Sequence, residues 1–189
     1  MLVDVPSNLG GLSRAALINA KWLIVQLAPD VFALRGLESL GAALQRWNQE
    51  WAVRRQGNPV AELALSPGAT IPAGYVLMQP AVRLDRPPDK HDHLLRRIPA
   101  VYRQKVLGGD FDPALIESYE AAHRLASLQH YVSLASLAQE ARKPMFFLKP
   151  ADGALGAHAQ AVVACYRDFK GLVENIDKKV RFLGSDPTG

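Results

Sequence analysis

The chain opens with Met1-Leu2-Val3-Asp4-Val5-Pro6-Ser7-Asn8-Leu9-Gly10 and continues, after a helical stretch, with Trp22-Leu23-Ile24-Val25-Gln26-Leu27-Ala28-Pro29-Asp30. The first run predicts a short strand that ends at Asp4, and the second run predicts another strand. A strand–helix–strand unit implies parallel strands joined by a right-handed crossover. An acidic residue at the carboxyl end of a buried parallel strand is a position where phosphate-handling α/β proteins hold Mg²⁺ and its water.

The composition is that of a folded protein with a core of its own. The chain has 189 residues, of which 49% are hydrophobic and 21% charged, which is enough apolar material for one domain or a large part of one. Its single cysteine, Cys165, excludes an intramolecular disulfide and a Cys-rich zinc site, and it indicates a reducing compartment. The sequence has neither a membrane-length apolar run nor a basic-then-apolar start. We therefore expect a cytoplasmic location and no membrane span.

The remaining sequence predicts alternating helices and strands, which favours the α/β class. Asp30 is expected to cap a long amphipathic helix, and a strand is expected over Gly74–Gln79. The expected elements after that strand are a mainly helical excursion over about 80–130 that includes a helix from Pro113 to about Gln129, short strands at 130–132 and 145–148, and a last helix to about residue 176. The segment 177–189 is expected to be a flexible tail.

A basic stretch lies within the expected helical excursion. Its bases outnumber its three acids and are Arg83, Arg86, Lys90, Arg96, Arg97, Arg103 and Lys105. Such a patch could contact the phosphates of DNA or an acidic partner, and the alternative is an ordinary solvated surface. Within the same stretch, His91-Asp92-His93 could hold a metal only if it were extended, and a loop leading into a helix is the alternative interpretation.

The first forty residues resemble the ParA/MinD family of deviant Walker P-loop ATPases. In that family an apolar strand ends in Asp and is followed by a loop with Pro and Gly, as in Leu2-Val3-Asp4, Pro6 and Gly10. Phe32-Ala33-Leu34-Arg35-Gly36-Leu37 is similar to the stretch that follows the family's next strand and its Pro. The likeness is looser at 74–79 and 134–176, and it is absent over 80–130.

The resemblance implies a fold and a set of roles. The fold would be α/β with a mostly parallel sheet flanked by helices, P-loop NTPase-like, in which residues 1–176 form the C-terminal part of an incomplete Rossmann-like domain. Asp4 would hold the Mg²⁺-bound water, Pro6 to Gly10 would sense the γ-phosphate of ATP, and Met78-Gln79 would stand where the family places residues near the base. A homodimer, non-specific DNA and a partition partner protein are the implied partners.

The chain contains no G-x-x-x-x-G-K-[ST] phosphate loop, so the sequence predicts that it does not hydrolyse ATP alone. It would then be the C-terminal portion of an ATPase for plasmid or chromosome partition or for ATP-dependent positioning. The alternative is a degenerate, non-catalytic interaction module that keeps the fold. Because a central strand without its neighbours exposes unpaired backbone groups, we expect the isolated chain to self-associate or to be poorly soluble.

Overall fold

The computed structural model describes residues 1–6, 8–60, 62–79 and 89–185, with the backbone alone at residue 79 and at residues 89–92. The helices of this part are α1 (Gly11–Asn19), α2 (Val31–Gln56), α3 (Asp89–Val101), α4 (Ile116–His123), α5 (Val132–Ala141) and α6 (Ala157–Ser185). The strands are β1 (Trp22–Leu27), β2 (Ile71–Gln79) and β3 (Arg124–Gln129). A π-helical turn, Tyr102–Val106, continues α3, and 3₁₀ turns span Pro113–Leu115, Met145–Phe147 and Pro150–Asp152.

The strands of the described part form one open, parallel sheet in the order β1-β2-β3. The predicted α/β class with a parallel sheet flanked by helices is therefore confirmed. The pairing of β2 shifts register once against each neighbour, at residues 72–74 beside β1 and at residues 124–126 beside β3. Gly74 lies at the register shift beside β1 and has a φ of 158°. A Cβ at this position would come within 2.5 Å of the His123 carbonyl oxygen. Only glycine allows that close approach.

Both faces of the sheet are covered. On one face α1, α2, α3 and the π-helical turn enclose the main core, which includes Leu27, Leu37, Trp47, Tyr75, Leu77, Ile98 and Tyr102. On the other face α6 packs against side chains of all three strands, including Ile24, Val76, Met78, Leu125 and Leu128. Neighbouring residues of β2 alternate between the two faces, as the period of two in a strand requires. A smaller cluster joins α5 to α6 around Leu134, Leu148, Ala154 and the fully buried Cys165.

The sequence pattern predicted α2 well. Its buried side chains recur at helical spacing, and the Oδ1 atom of Asp30 accepts a 2.7 Å hydrogen bond from the backbone N–H of Ala33. The predicted cap is therefore confirmed, since a carboxylate at this position satisfies one of the free N–H groups of the first turn.

The predicted strand at Leu2–Asp4 is wrong, because residues 1–6 lie in neither a helix nor a strand. A strand needs a neighbour to accept its ladder of hydrogen bonds. The outer edge of β1 pairs with no other segment of the described ranges. Leu2 is almost fully exposed, so this apolar residue lies outside the core, and Asp4 does not end a strand here.

The region after α3 also differs from the prediction. Residues 113–129 do not form one helix, because α4 ends at His123 and the chain enters β3 directly. The strand expected at 130–132 is consequently wrong, and the excursion expected at 80–130 contains a sheet strand. The strand expected at 145–148 is wrong, because Met145–Phe147 form a 3₁₀ turn, and the flanking Pro144 and Pro150 cannot donate to a strand ladder.

α3 runs through Pro99 into the π-helical turn, and the last helix is longer than expected. α6 extends to Ser185, so the basic segment from Asp177 onward, expected to be a tail, is helical up to that residue. Within the described ranges, none of the helices has the length and apolarity that a bilayer crossing requires.

Candidate functional site

The carboxyl ends of the three parallel strands lie at one edge of the sheet. Open α/β sheets bind their ligands in the crevice outside this edge. β1 is followed there by Asp30, β2 ends at Gln79, and β3 is followed by His130. This carboxyl edge is therefore the candidate ligand site.

The start of α2 supplies both a carboxylate and apolar surface at the carboxyl edge. The Asp30 carboxylate is occupied by its hydrogen bond to the Ala33 N–H group. The next two residues, Val31 and Phe32, begin α2, and Phe32 is 81% exposed. A large apolar side chain beside a ligand-binding edge marks a surface that another chain or a ligand can cover.

Met78 and Gln79, the residues predicted to lie near the base, occupy the end of β2. Met78 is half-buried and packs on the core cluster beneath α6, so its side chain contributes to the hydrophobic core. The backbone of Gln79 pairs with Gln129 of β3, which places residue 79 at the carboxyl edge itself.

The segment that begins at Asp4 leads into α1, and Asn8, Leu9 and Gly10 are exposed. Gly10 precedes the helix, and its carbonyl oxygen accepts a 2.9 Å hydrogen bond from the Arg14 N–H group. Two residues earlier, the Asn8 side chain accepts a 3.0 Å hydrogen bond from the Ser13 hydroxyl. Asp4 and Pro6 are exposed, and no ion pair joins the Asp4 carboxylate to another side chain of the described ranges. Asn8 and Gly10 are thus attached to α1 by local hydrogen bonds.

A search of the described residues finds no group of three or more His, Cys, Asp or Glu side chains that could hold a metal ion. The backbone of residues 91–93 is helical, within α3, so the extended segment that a shared metal would require is not formed, and the metal interpretation of His91-Asp92-His93 is wrong. A single carboxylate such as Asp4 can still act on a phosphate-bound Mg²⁺ through water, because such ions keep several waters and few protein ligands.

The predicted basic surface is divided by the structure. Arg96 and Arg97 are exposed on α3, and Lys105 is exposed on the π-helical turn. Arg103 differs, because its guanidinium lies 5.5 Å from the Tyr119 ring centre and its Nε donates to the Asp110 carbonyl oxygen at 3.2 Å. Three bases are thus free to meet a partner, while Arg103 holds the loop after the π-helical turn. Arg83 and Arg86 lie outside the described residues.

A second cluster of polar side chains was not predicted from the sequence. The rings of Tyr75 and Tyr102 lie 5.1 Å apart, and that of His123 lies 5.5 Å from Tyr102. Both tyrosines are fully buried, and neither their hydroxyls nor His123 Nδ1 finds a hydrogen-bond partner in the described part of the chain. Three adjacent unsatisfied buried groups are unusual, because each costs desolvation free energy.

The environment of this cluster keeps its members neutral. Burial lowers the pKa of His123 to about 4, and the positive charges of Lys179 and Arg103 act in the same direction. Burial likewise raises the pKa of both Tyr75 and Tyr102 above the usual tyrosine range. At neutral pH the cluster therefore offers neutral donors and acceptors and no charge.

The cluster lies beside the first residue of β3, away from the carboxyl edge. Tyr75 pairs with Arg124, and His123 immediately precedes that strand. Sequence reasoning had no signal for it, since the three residues come from separate elements and His123 falls inside a stretch that predicted a helix.

Comparisons of the chain with protein-family models, with curated proteins and with solved structures give no match.

Proposed function

We propose that this chain is the C-terminal portion of a ParA-like ATPase that acts in plasmid or chromosome partition or in ATP-dependent positioning. In this proposal the chain is not competent to hydrolyse ATP alone, and the phosphate loop is supplied by another segment. The proposal rests on the resemblance of residues 1–40 to that family and on one structural observation, the unpaired edge of β1.

β1 lies at the edge of the described sheet, yet its half-buried apolar side chains pack on both faces, as those of an inner strand do. Leu23 and Val25 pack on the core beneath α2, while Ile24 packs on the opposite face beneath α6. The strand carries no proline and no charge, although edge strands usually contain such residues to discourage pairing. A strand of this kind is typical of a sheet that continues beyond it, so the free edge of β1 supports a missing neighbour.

The direction of the crossovers supports the same arrangement. α1 and α2 both pack on the same face of the sheet, and right-handed crossovers on one face advance in one direction across a sheet. The strand order β1-β2-β3 follows that direction. A strand preceding α1 would therefore lie on the free side of β1, and the segment ending at Asp4 is the candidate for it once a neighbour is present.

The sheet described here has no reversal of strand order, and nucleotides bind where the order reverses. In a complete doubly wound sheet the reversal would lie on the free side of β1, beyond the strand that precedes α1. In the proposed ATPase, Asp4 and the loop from Pro6 to Gly10 would reach the Mg²⁺ and γ-phosphate of ATP there, and Gln79 would lie further along the carboxyl edge. Arg96, Arg97 and Lys105 would offer a surface for non-specific DNA or for a partition partner.

The second candidate function is a non-catalytic interaction module. It is favoured by the exposed Asp4, which lies in no strand, and by the absence of a phosphate-loop motif from the 189 residues. This module would bind its partner without nucleotide, through the surfaces that the free β1 edge and Phe32 present.

The intact mass of the native product, together with the reading frame upstream of Met1, separates the two functions. The ATPase proposal predicts a product heavier than 20.6 kDa with a Gly/Lys phosphate loop upstream. In that longer protein, Asp4→Asn should lower Mg²⁺-dependent ATP turnover by about 100-fold, the scale typical of losing one preorganised electrostatic contact.

The matched control is Asp110→Asn, which makes the same change at an exposed aspartate whose backbone carbonyl, not its carboxylate, is bonded to Arg103. Turnover should be unchanged in that variant. A native product of 20.6 kDa that binds a partner equally well with and without Mg·ATP would refute the ATPase proposal and support the module. Unchanged turnover in Asp4→Asn would remove Asp4 from the site.

A further inference from the structure

α6 has two apolar faces, of which the sheet and α5 cover only one. The covered face carries Val162, Cys165, Phe169, Leu172 and Ile176. Each of these residues is followed by a residue of a second face. We call this second face the outer face of α6 and define it as Val163, Tyr166, Lys170, Val173 and Asp177. Its spacing alternates between three and four residues, as in a helix that packs lengthwise on another helix.

The outer face exposes unusually much apolar surface. Val163 is 58% exposed, Tyr166 49% and Val173 62%. Tyr166 also contacts Phe146, with ring centres 6.5 Å apart, which extends the surface toward the exposed Phe147. Exposed apolar side chains that are aligned along one helix indicate an interaction surface rather than scattered surface residues.

Charges on the outer face and its margin are separated along the helix axis. Arg167 and Lys170 lie on the N-terminal side of residues 171–172, and Glu174 and Asp177 lie on the C-terminal side. All four side chains are exposed. The ion pairs Lys170–Glu174 (4.0 Å) and Arg181–Asp177 (2.9 Å) are exposed contacts within the helix, which contribute little and can rearrange.

We propose that the outer face of α6 is a self-association surface that pairs with α6 of a second copy of the chain in antiparallel orientation. A two-fold axis near residues 171–172 brings Arg167 of each copy within two residues, or about 3 Å along the helix axis, of the level of Glu174 of the other, a distance that the two long side chains can span. Tyr166 then faces Asp177 of the second copy, and Val173 packs beside the stem of Lys170. A parallel arrangement would align like charges, so charge complementarity selects the antiparallel one.

This surface is separate from the carboxyl edge and from the free edge of β1, and it needs no nucleotide. One helix pair buries an area at the low end of specific interfaces. The dimer is therefore weak and concentration-dependent, and it becomes weaker at high salt because the four charges are exposed.

Analytical ultracentrifugation of the full 189-residue chain without nucleotide tests this surface. Arg167→Glu and Glu174→Arg should each raise the dimer dissociation constant at least tenfold, because each places like charges opposite one another. The double variant Arg167→Glu/Glu174→Arg should restore dimerisation. The control Arg35→Glu makes the same charge change at an exposed helical arginine of α2 and should leave association unchanged.

The apolar part of the surface is tested by Val173→Asp, with Val53→Asp as its control. Val53 is a similarly exposed helical valine, at 69%, and lies on α2. Far-UV circular dichroism verifies that each variant remains folded. Loss of dimer in Val173→Asp alone supports the surface. A monomer at every concentration, association that Val173→Asp leaves intact, or a double charge variant that fails to dimerise while folded overturns it.

Discussion

Gly41 of α2 is a position where an added methyl group would collide with backbone atoms. A Cβ there would overlap the carbonyl oxygen of Lys105 and lie 2.5 Å from its carbonyl carbon. Both atoms belong to the backbone of the π-helical turn, which cannot swing away as a side chain would. Gly36, five residues earlier on the same helix, has open space around it, because a Cβ at that position would meet nothing within 4 Å. The two glycines therefore form a matched pair.

We expect alanine to change the free energy of unfolding in opposite directions at the two sites. Alanine in a helix interior is about 0.5–1 kcal/mol more favourable than glycine, so Gly36→Ala should raise the free energy of unfolding by about that amount. At Gly41 the backbone of the π-helical turn must retreat by about 1 Å to reach normal contact. Overpacking of this kind costs about 3 kcal/mol at the upper end of its usual range. We expect Gly41→Ala to be less stable than the natural chain by about 2 kcal/mol.

Equilibrium unfolding in urea, followed by far-UV circular dichroism and by tryptophan fluorescence, measures both variants. The midpoints should move in opposite directions at constant slope, because a change of midpoint without a change of slope is a change of stability. A Gly41→Ala variant as stable as Gly36→Ala would refute the close packing of α2 against the π-helical turn.

Three further substitutions test the buried cluster and the first turn of α2. Tyr102→Phe should raise the free energy of unfolding by about 1 kcal/mol, since it removes a buried hydroxyl without a described partner; a loss of stability in urea would show that the hydroxyl is satisfied. His123 has a pKa of about 4 in the folded chain and an ordinary value of 6.5, so the unfolded chain takes up its proton first as the pH falls. The natural chain should therefore lose about 2 kcal/mol more stability than His123→Gln between pH 6.5 and 4, a figure reduced for partial exposure, and parallel pH profiles would contradict this. Asp30→Ala should cost about 1 kcal/mol by leaving the Ala33 N–H group unpaired, and an unchanged thermal midpoint would mean that the cap contributes nothing.

The sequence was sufficient for the elements whose pattern is strong. β1 is a continuous apolar run between turn residues, and α2 repeats its apolar residues along 26 residues with a capping aspartate at its start. In both cases local preference and burial favour the same structure, so the prediction does not depend on distant contacts.

The sequence did not predict β3, because its local preference and its pairing favour different structures. Its residues Arg124-Leu125-Ala126-Ser127-Leu128-Gln129 include alanine, leucine and glutamine, which favour helices, and contain no β-branched or aromatic residue. Pairing with the edge of β2 outweighs that preference, and no local pattern reveals the pairing. At Leu2–Asp4 the sequence predicted a strand that does not form. The composition of this run suits a strand, but no described neighbour accepts its hydrogen bonds.

Some residues of the candidate site could be predicted from the sequence, and others could not. Asp4 and Gln79 were identified from their positions after apolar runs, and only Gln79 ends a strand of the described structure. The cluster of Tyr75, Tyr102 and His123 escaped notice because it forms between elements that are distant in sequence. Such contacts follow from how helices and strands pack, which single-sequence patterns do not encode.

Because the outer edge of β1 pairs with no described segment, the stability of the folded chain depends on the concentration of any segment that binds there. Any segment that adds a strand there binds the folded state and not the unfolded one, so its free energy of binding adds directly to the free energy of unfolding. At a concentration 100 times its dissociation constant, that segment would contribute about 2.7 kcal/mol. Under the proposed function, the melting temperature of the chain alone is a baseline that would rise with the concentration of the segment that supplies the missing strand, and the amount of folded protein in a cell would depend on the supply of that segment.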